Sequence, residues 1–147
     1  MKKIFYLLLL AIIAYGAYTF MSPKVDFTKD AKEGIQFSKS SWSEVLATAK
    51  KENKIIFLDI YAIWCGNCKK LKKNTFSDKN AGTYFNRRFI NVSLDGEKGD
   101  GEMLVKKYAV ESYPILMFLD GDGKIIKQAG GYQNTEELIN LGKSVSE

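Results

Sequence analysis

"IIFLDIYAIWCGNCKK", Ile55 to Lys70, decides how the chain is to be read. Ile55 to Ala62 is short and almost continuously apolar, as a central strand buried on both faces requires. One charged residue, Asp59, interrupts it. The only cysteines of the chain, Cys65 and Cys68, follow at once. After them "KKLKKNTFSDKNAGTYFNRRF" reads helical, with a break near Ser77. The cysteines therefore lie where a buried strand hands over to a helix. The first turn of that helix offers free N–H groups and the positive end of its dipole. Both favour a thiolate, so Cys65 is expected to have a lowered pKa. Lys69, Lys70, Lys72 and Lys73 would add to this effect, or would form a solvated helix face.

The elements on either side alternate. "SWSEVLATAKKENK" has helical periodicity, with Trp42, Val45, Leu46 and Ala49 on one face. Ser41 and Glu44 are spaced as a capping box. Ile90 to Asp95 is a second strand, "EKGDG" a loop, and "GEMLVKKYAV" a helix. Pro114 to Asp120 is a third strand. A turn at 121–123 joins it to "KIIKQAGG". "NTEELINLGKSV" closes the chain as a helix that opens at Asn134 with Glu137 three residues on, and Leu138, Ile139 and Leu141 form its apolar side. A short strand at 35–37 is also considered. The order predicts an α/β fold, a sheet covered on both faces and ending in a hairpin.

The N-terminus has a different character. Lys2 and Lys3 precede 18 uncharged residues, Ile4 to Met21. That is the pattern of a signal peptide or signal anchor. Ala14-Tyr15-Gly16 is a passable small-x-small cleavage site, but the apolar run continues past it, which favours an anchor. In both cases the domain is expected outside the cytoplasm, periplasmic or secreted, where disulfides form. The division is then 1–21 signal, 22–35 polar linker and 36–147 one domain.

Composition narrows the chemistry. The net charge is +5, from 22 Lys and Arg against 17 Asp and Glu. That is too mild to argue for nucleic acid. No histidine is present, which excludes a histidine general base, a Cys-His nucleophile and His-containing zinc sites. Three readings of the cysteines stay open. Two thiolates are half of a structural zinc site, so metal would need a dimer sharing the ion. A structural bridge closing so small a loop would stabilise little. A catalytic dithiol fits the strand–helix join, at the edge where open sheets bind ligands.

Together these stretches resemble the thioredoxin family over residues 36–146. The matching features are Asp59 six residues before Cys65, "WCGNC", "SYP" ahead of the third strand, "DGDG", and Gly130-Gly131. Within the family, "FLDIYAIWCGNCKKLKKNTFSD" and "YPILMFLDGDGKIIKQAGGY" are most similar to the periplasmic C-terminal domain of the transmembrane thiol:disulfide interchange reductase. The resemblance implies a thioredoxin fold, a mixed sheet of four to five strands. It implies a protein-disulfide reductase, with an oxidase or isomerase, or a metal-sharing dimeric module, as alternatives. Cys65 would be the exposed attacking thiolate and Cys68 the buried resolving thiol. Asp59 would move protons to and from Cys68, with a carboxyl satisfied by backbone donors as the plainer reading. Pro114 would follow a cis peptide bond and place the Tyr113 backbone beside Cys65 for strand-like pairing with a partner. Trp64 would shield the sulfur, and Tyr61 stands where an aromatic residue is common. No cofactor beyond the redox-active Cys65–Cys68 disulfide is implied. The expected partners are disulfides of exported proteins and a membrane electron carrier, and the expected state is a monomer. Two departures stand out. Gly66-Asn67 replaces the Gly-Pro of thioredoxins proper. Lys72 stands where the reductase subgroup often has an acid, a reversal that should favour the thiolate and select other partners.

Overall fold

The structure, a computed structural model, describes residues 2–21 and 24–146. Ser22 and Pro23, the first residues of the expected linker, lie outside the described residues, as does Glu147 at the end of the expected domain. Four strands form one sheet in the order β2-β1-β3-β4. They are β1 (Ile55–Tyr61), β2 (Phe89–Asp95), β3 (Ile115–Leu119) and β4 (Ile125–Gly130). β1 pairs parallel with β2 and antiparallel with β3, and β3 pairs antiparallel with β4. The sheet is mixed because the β1–β2 connection carries helices and the β3–β4 connection is a tight turn. In that turn the Asp120 carboxylate accepts from the N–H groups of Asp122 and Lys124, both at 2.9 Å. Gly123 supplies the left-handed backbone the turn needs, at φ 76°.

The helices among the described residues are α1 (Lys2–Met21), α2 (Trp42–Glu52), α3 (Gly66–Lys70), α4 (Lys79–Arg88), α5 (Gly99–Lys107) and α6 (Thr135–Ser146). A π-helical turn, Leu71–Thr75, continues α3. The helices cover both faces of the sheet because β1 alternates between two apolar layers. Ile56, Leu58 and Ile60 pack with Trp42, Val45 and Ala49 of α2, Leu104 of α5, Val92 of β2 and Met117 of β3. Phe57 points the other way, into an aromatic layer with Phe76, Phe85, Phe89 and Phe118. Its ring centroid lies 4.7 Å from that of Phe85 and 5.3 Å from that of Phe118. Edge and tilted arrangements at such distances are favourable beyond their burial alone.

Local signals place most helix ends. The Ser41 hydroxyl accepts from the Glu44 N–H, and the Glu44 carboxylate accepts from the Ser41 N–H at 2.8 Å. Asn134 and Glu137 make the same reciprocal pair at the start of α6. The break near Ser77 is real, and Asp78 caps α4 through Asn80 and Ala81.

Three differences from the sequence reading concern the rest. Helix α5 begins inside the expected loop, at Gly99. Gly101 packs so closely on the Asp95 carbonyl that any Cβ would collide with it. The Asp100 carboxylate accepts from the Trp42 N–H at 2.8 Å, tying the starts of α5 and α2 together. Residues 35–37 are extended but form no ladder. The Ile35 N–H donates to the Phe76 carbonyl at 2.8 Å, those of Gln36 and Phe37 go to the Asn86 and Asp30 side chains, and the Ser38 N–H reaches a strand at the Asn91 carbonyl, 2.8 Å. The described part of the expected linker, residues 24–35, lies on the domain. Phe27 is buried with its ring stacked on Tyr61 at 4.1 Å, and Asp30 pairs with Lys72 at 2.8 Å. Its polar composition hides these contacts because a single aromatic and a single acid supply them.

Helix α1 exposes its apolar side chains, Ile4, Phe5 and Leu7 to Leu10 among them. Among the described residues, no helix is long and apolar enough to cross a membrane.

The aromatic layer sets the core's dependence on Phe57. Phe57→Ala should lower the unfolding free energy by ~3–5 kcal/mol, read as a reduced urea midpoint. A loss below about 1 kcal/mol would show that the layer closes over the gap.

Candidate active site

β1 ends at Tyr61, and three loops meet beyond it. The Gly96 N–H after β2 donates to the Tyr61 carbonyl at 2.8 Å. The Tyr113 ring, ahead of β3, occupies the space that Gly96 leaves by lacking a Cβ. Tyr113–Pro114 is a cis peptide, as expected.

Cys65 is the N-cap of α3. Its Sγ accepts from the Cys68 N–H at 3.1 Å, and the two cysteines are joined in a disulfide, with Cα atoms 5.3 Å apart. The capping position is what gives the site its electrostatics. A sulfur there sits against unpaired N–H groups, which stabilise negative charge more than the neutral thiol. Gly66 and Asn67, between the cysteines, are exposed, and nothing lies within 4 Å of where a Gly66 Cβ would stand.

The expected contrast in exposure is small in this disulfide state. Cys65 is 6% exposed and Cys68 2%. Both belong to an apolar cluster with Phe27, Tyr61 and Ala62, against which Val25 and Tyr113 pack. The segment read as a linker therefore supplies part of the cover over Cys65. Trp64 is 65% exposed; its ring meets Tyr113 edge-on at 6.0 Å, and its Nε1–H donates to Glu97 at 2.8 Å.

Asp59 is buried on the face of β1 that carries Phe57 and Tyr61, between the aromatic layer and the cysteine cluster. The Ser93 hydroxyl donates to its Oδ2 at 2.7 Å, and Oδ1 has no hydrogen-bond partner among the described residues. Among the described residues no backbone donor reaches the carboxyl, in contrast to the plainer reading of this acid. Burial raises its pKa to about 7, against the lowering effects of the Ser93 hydrogen bond and the Lys72 charge. A carboxyl so placed can take and return a proton near neutral pH. Burial also raises the Tyr61 phenol to about 12, helped by Asp95, Asp59 and Asp26, so it stays neutral.

The four lysines after Cys68 do not form one solvated face. Lys70 and Lys73 are exposed, but Lys72 is 8% exposed and ion-paired to Asp30. Cys68 and Lys72 are four residues apart and face inward together, so the same turn that buries the second sulfur buries the amine.

Sequence reasoning singled out Cys65, Cys68, Asp59, Trp64, Tyr61, Tyr113 and Pro114, and the fold gathers all of them at one end of the sheet. It missed Phe27, Asp30, Ser93 and Glu97. Ser93 could have been found, since parallel pairing of the two predicted strands sets it opposite Asp59. For Phe27 and Asp30 no local signal exists.

Comparison with known proteins agrees with this geometry. The thioredoxin-like domain family matches residues 42–146. The thiol:disulfide interchange protein DsbD of Haemophilus influenzae is 27% identical over 123 residues, 77% of this chain and 21% of that protein. DsbD of Pectobacterium atrosepticum is 31% identical over 91 residues, 60% of this chain and 16% of that protein. The chain thus spans about a fifth of the length of these curated relatives. A solution structure of a candidate disulphide-isomerase from Bacteroides thetaiotaomicron is 39% identical, with a TM-score of 0.66 over 78% of this chain and 93% of that one. The oxidised C-terminal domain of Neisseria meningitidis DsbD shares the fold at 21% identity, with a TM-score of 0.60 over 75% of this chain and 97% of that one.

The Asp59 carboxyl makes stability depend on pH. Its folded pKa, about 7, lies above the ordinary 3.8, so the folded state holds the proton more tightly. The stabilisation is present below about pH 4 and is lost as pH rises through about 7, amounting to something on the order of 4 kcal/mol. Asp59→Asn should remove this fall. Urea midpoints of the two proteins across that range would run parallel if Asp59 were an ordinary acid.

Proposed function

This chain belongs to the thioredoxin-like family, and we propose that it is an extracytoplasmic thiol–disulfide oxidoreductase that reduces disulfides of exported proteins. The observation that carries the reading is the Cys65–Cys68 disulfide on the N-cap of α3, on the sheet face that buries Asp59. The DsbD relatives, named thiol:disulfide interchange proteins, support it. Lys2, Lys3 and the apolar residues 4–21 support export, with the membrane engaged through that segment. The reducing direction requires a membrane electron carrier to re-reduce the pair.

In the reduced protein the Cys65 thiolate attacks a partner disulfide. One partner sulfur leaves as thiolate and takes a proton, and a Cys65–partner mixed disulfide forms. The second step is internal. Cys68 gives its proton to Asp59, and the resulting thiolate attacks Cys65 Sγ. The Cys65–Cys68 bond forms, the Cys65–partner bond breaks, and the second partner sulfur leaves reduced. Two electrons have moved to the partner, and the protein is left as the disulfide. Tyr113, Pro114 and Trp64 border this centre, with an extended partner segment read as pairing beside Tyr113. Gly66 and Asn67 set the potential from their place within the ring that the disulfide closes.

A second reading, isomerase or oxidase, is favoured by the candidate disulphide-isomerase at 39% identity. The redox potential separates the two. Equilibration with glutathione should give a value near ~−270 mV for a reductant, whereas one near ~−120 mV would mark an oxidant.

Cys68→Ser should capture partners from an envelope extract as conjugates on Cys65 that dithiothreitol releases, and Cys65→Ser should capture none. Wild type should speed insulin reduction by dithiothreitol. Absence of both conjugates and acceleration would sink the oxidoreductase reading.

A further inference from the structure

Lys72 is a buried cation on the turn that follows the second cysteine. Its ammonium donates to Asp30 Oδ1 at 2.8 Å and lies 5.2 Å from the centre of the Phe37 ring. The two side chains of the pair are 8% and 9% exposed. Asp30 is held in turn. Its Oδ2 accepts from the Phe37 N–H at 2.9 Å and lies 3.7 Å from the Lys39 ammonium. A buried ion pair stabilises a fold little more than an apolar pair of similar volume. Stability alone therefore gives no reason for it here.

The neighbourhood supplies one. Lys72 lies one turn beyond Cys68, on the helical stretch that covers the Asp59 face of β1, and its charge acts on Asp59. The other groups around that carboxyl are few. Ser93 donates from β2, Tyr61 lies two residues along β1, and Leu116, opposite on β3, is apolar. Cys65 and Cys68 on α3 are joined to each other. Lys72 is the cation that acts on Asp59, with Asp30 and Lys39 behind it.

We propose that Lys72 is a positioning residue for the dithiol, setting how readily Asp59 accepts the Cys68 proton, and that Asp30, from outside the family-matched region 42–146, holds it in place. This rests on the oxidoreductase reading for its role in turnover, but not for its electrostatics. The Lys72 charge favours the Asp59 carboxylate, so that near neutral pH the acid is free to take a proton. Asp30 orients the amine and offsets part of its charge. The segment ahead of the domain thereby becomes part of the active centre's electrostatics as well as part of its cover.

The test is the titration of the Asp59 carboxyl by carbon-13 NMR, in the oxidised full chain in detergent. In Lys72→Met the midpoint should move upward by about one pH unit. In Asp30→Asn/Lys72→Met it should move the same way but less far, because the Asp30 charge leaves too. Lys39→Met should leave it in place. The double variant buries no unpaired charge, so it decides the matter if Lys72→Met does not fold. A folded double variant with the wild-type midpoint would overturn the proposal. Insulin reduction is scored separately on wild type. Its failure would count against the oxidoreductase reading and leave the titration result standing.

Discussion

Strand β1 has no solvent-facing side, and the rest of the molecule is arranged by that constraint. Ile56, Leu58 and Ile60 must be covered by one layer of helices and Phe57 by another. Backbone groups on both edges must be paired as well, which places β2 on one side and β3 on the other. Where the apolar run ends, the chain turns into α3. The cysteines therefore sit at the point where burial gives way to surface, on a helix N-terminus that favours sulfur as an anion. The chemistry is placed by the same strand that builds the core.

Asp59 is the exception within that strand. Its burial costs stability at neutral pH and leaves Oδ1 without a partner among the described residues. A fold tolerates such a group where the gain lies elsewhere. Here that group is a carboxyl with a pKa of about 7, on the sheet face that carries the cysteine cluster. Ser93 and Lys72 pull the carboxyl back towards ionisation, and the balance among burial, hydroxyl and cation fixes where it titrates. Lys72, in turn, is buried in an ion pair with Asp30.

Much of the fold was legible because its signals are local. The continuous apolar run at 55–62 specified a central strand, and two capping pairs fixed the starts of α2 and α6. The start of α5 was not legible. Gly99-Asp100-Gly101 reads as a loop from its glycines, yet Gly101 is there because only a residue without a Cβ can approach the Asp95 carbonyl so closely. The cysteine pair, Asp59 and the aromatic residues around them were singled out by the strand–helix join and by the family resemblance. The exposure expected for Cys65 was not observed, since Phe27, more than thirty positions away in sequence, packs against the same cluster.

The α/β order, the strand–helix join carrying Cys65 and Cys68, and the single acid in the central strand can all be read along the chain. Those features are written in neighbouring residues, through periodicity, capping and spacing. Long-range packing instead lays residues 24–35 on the domain, stacks Phe27 on Tyr61 and buries Lys72 against Asp30. A lysine among lysines reads as solvated because composition weighs each charge alone. Its burial becomes affordable only when a carboxylate forty-two positions earlier is folded against it, and that pairing exists in space before it can be seen in sequence.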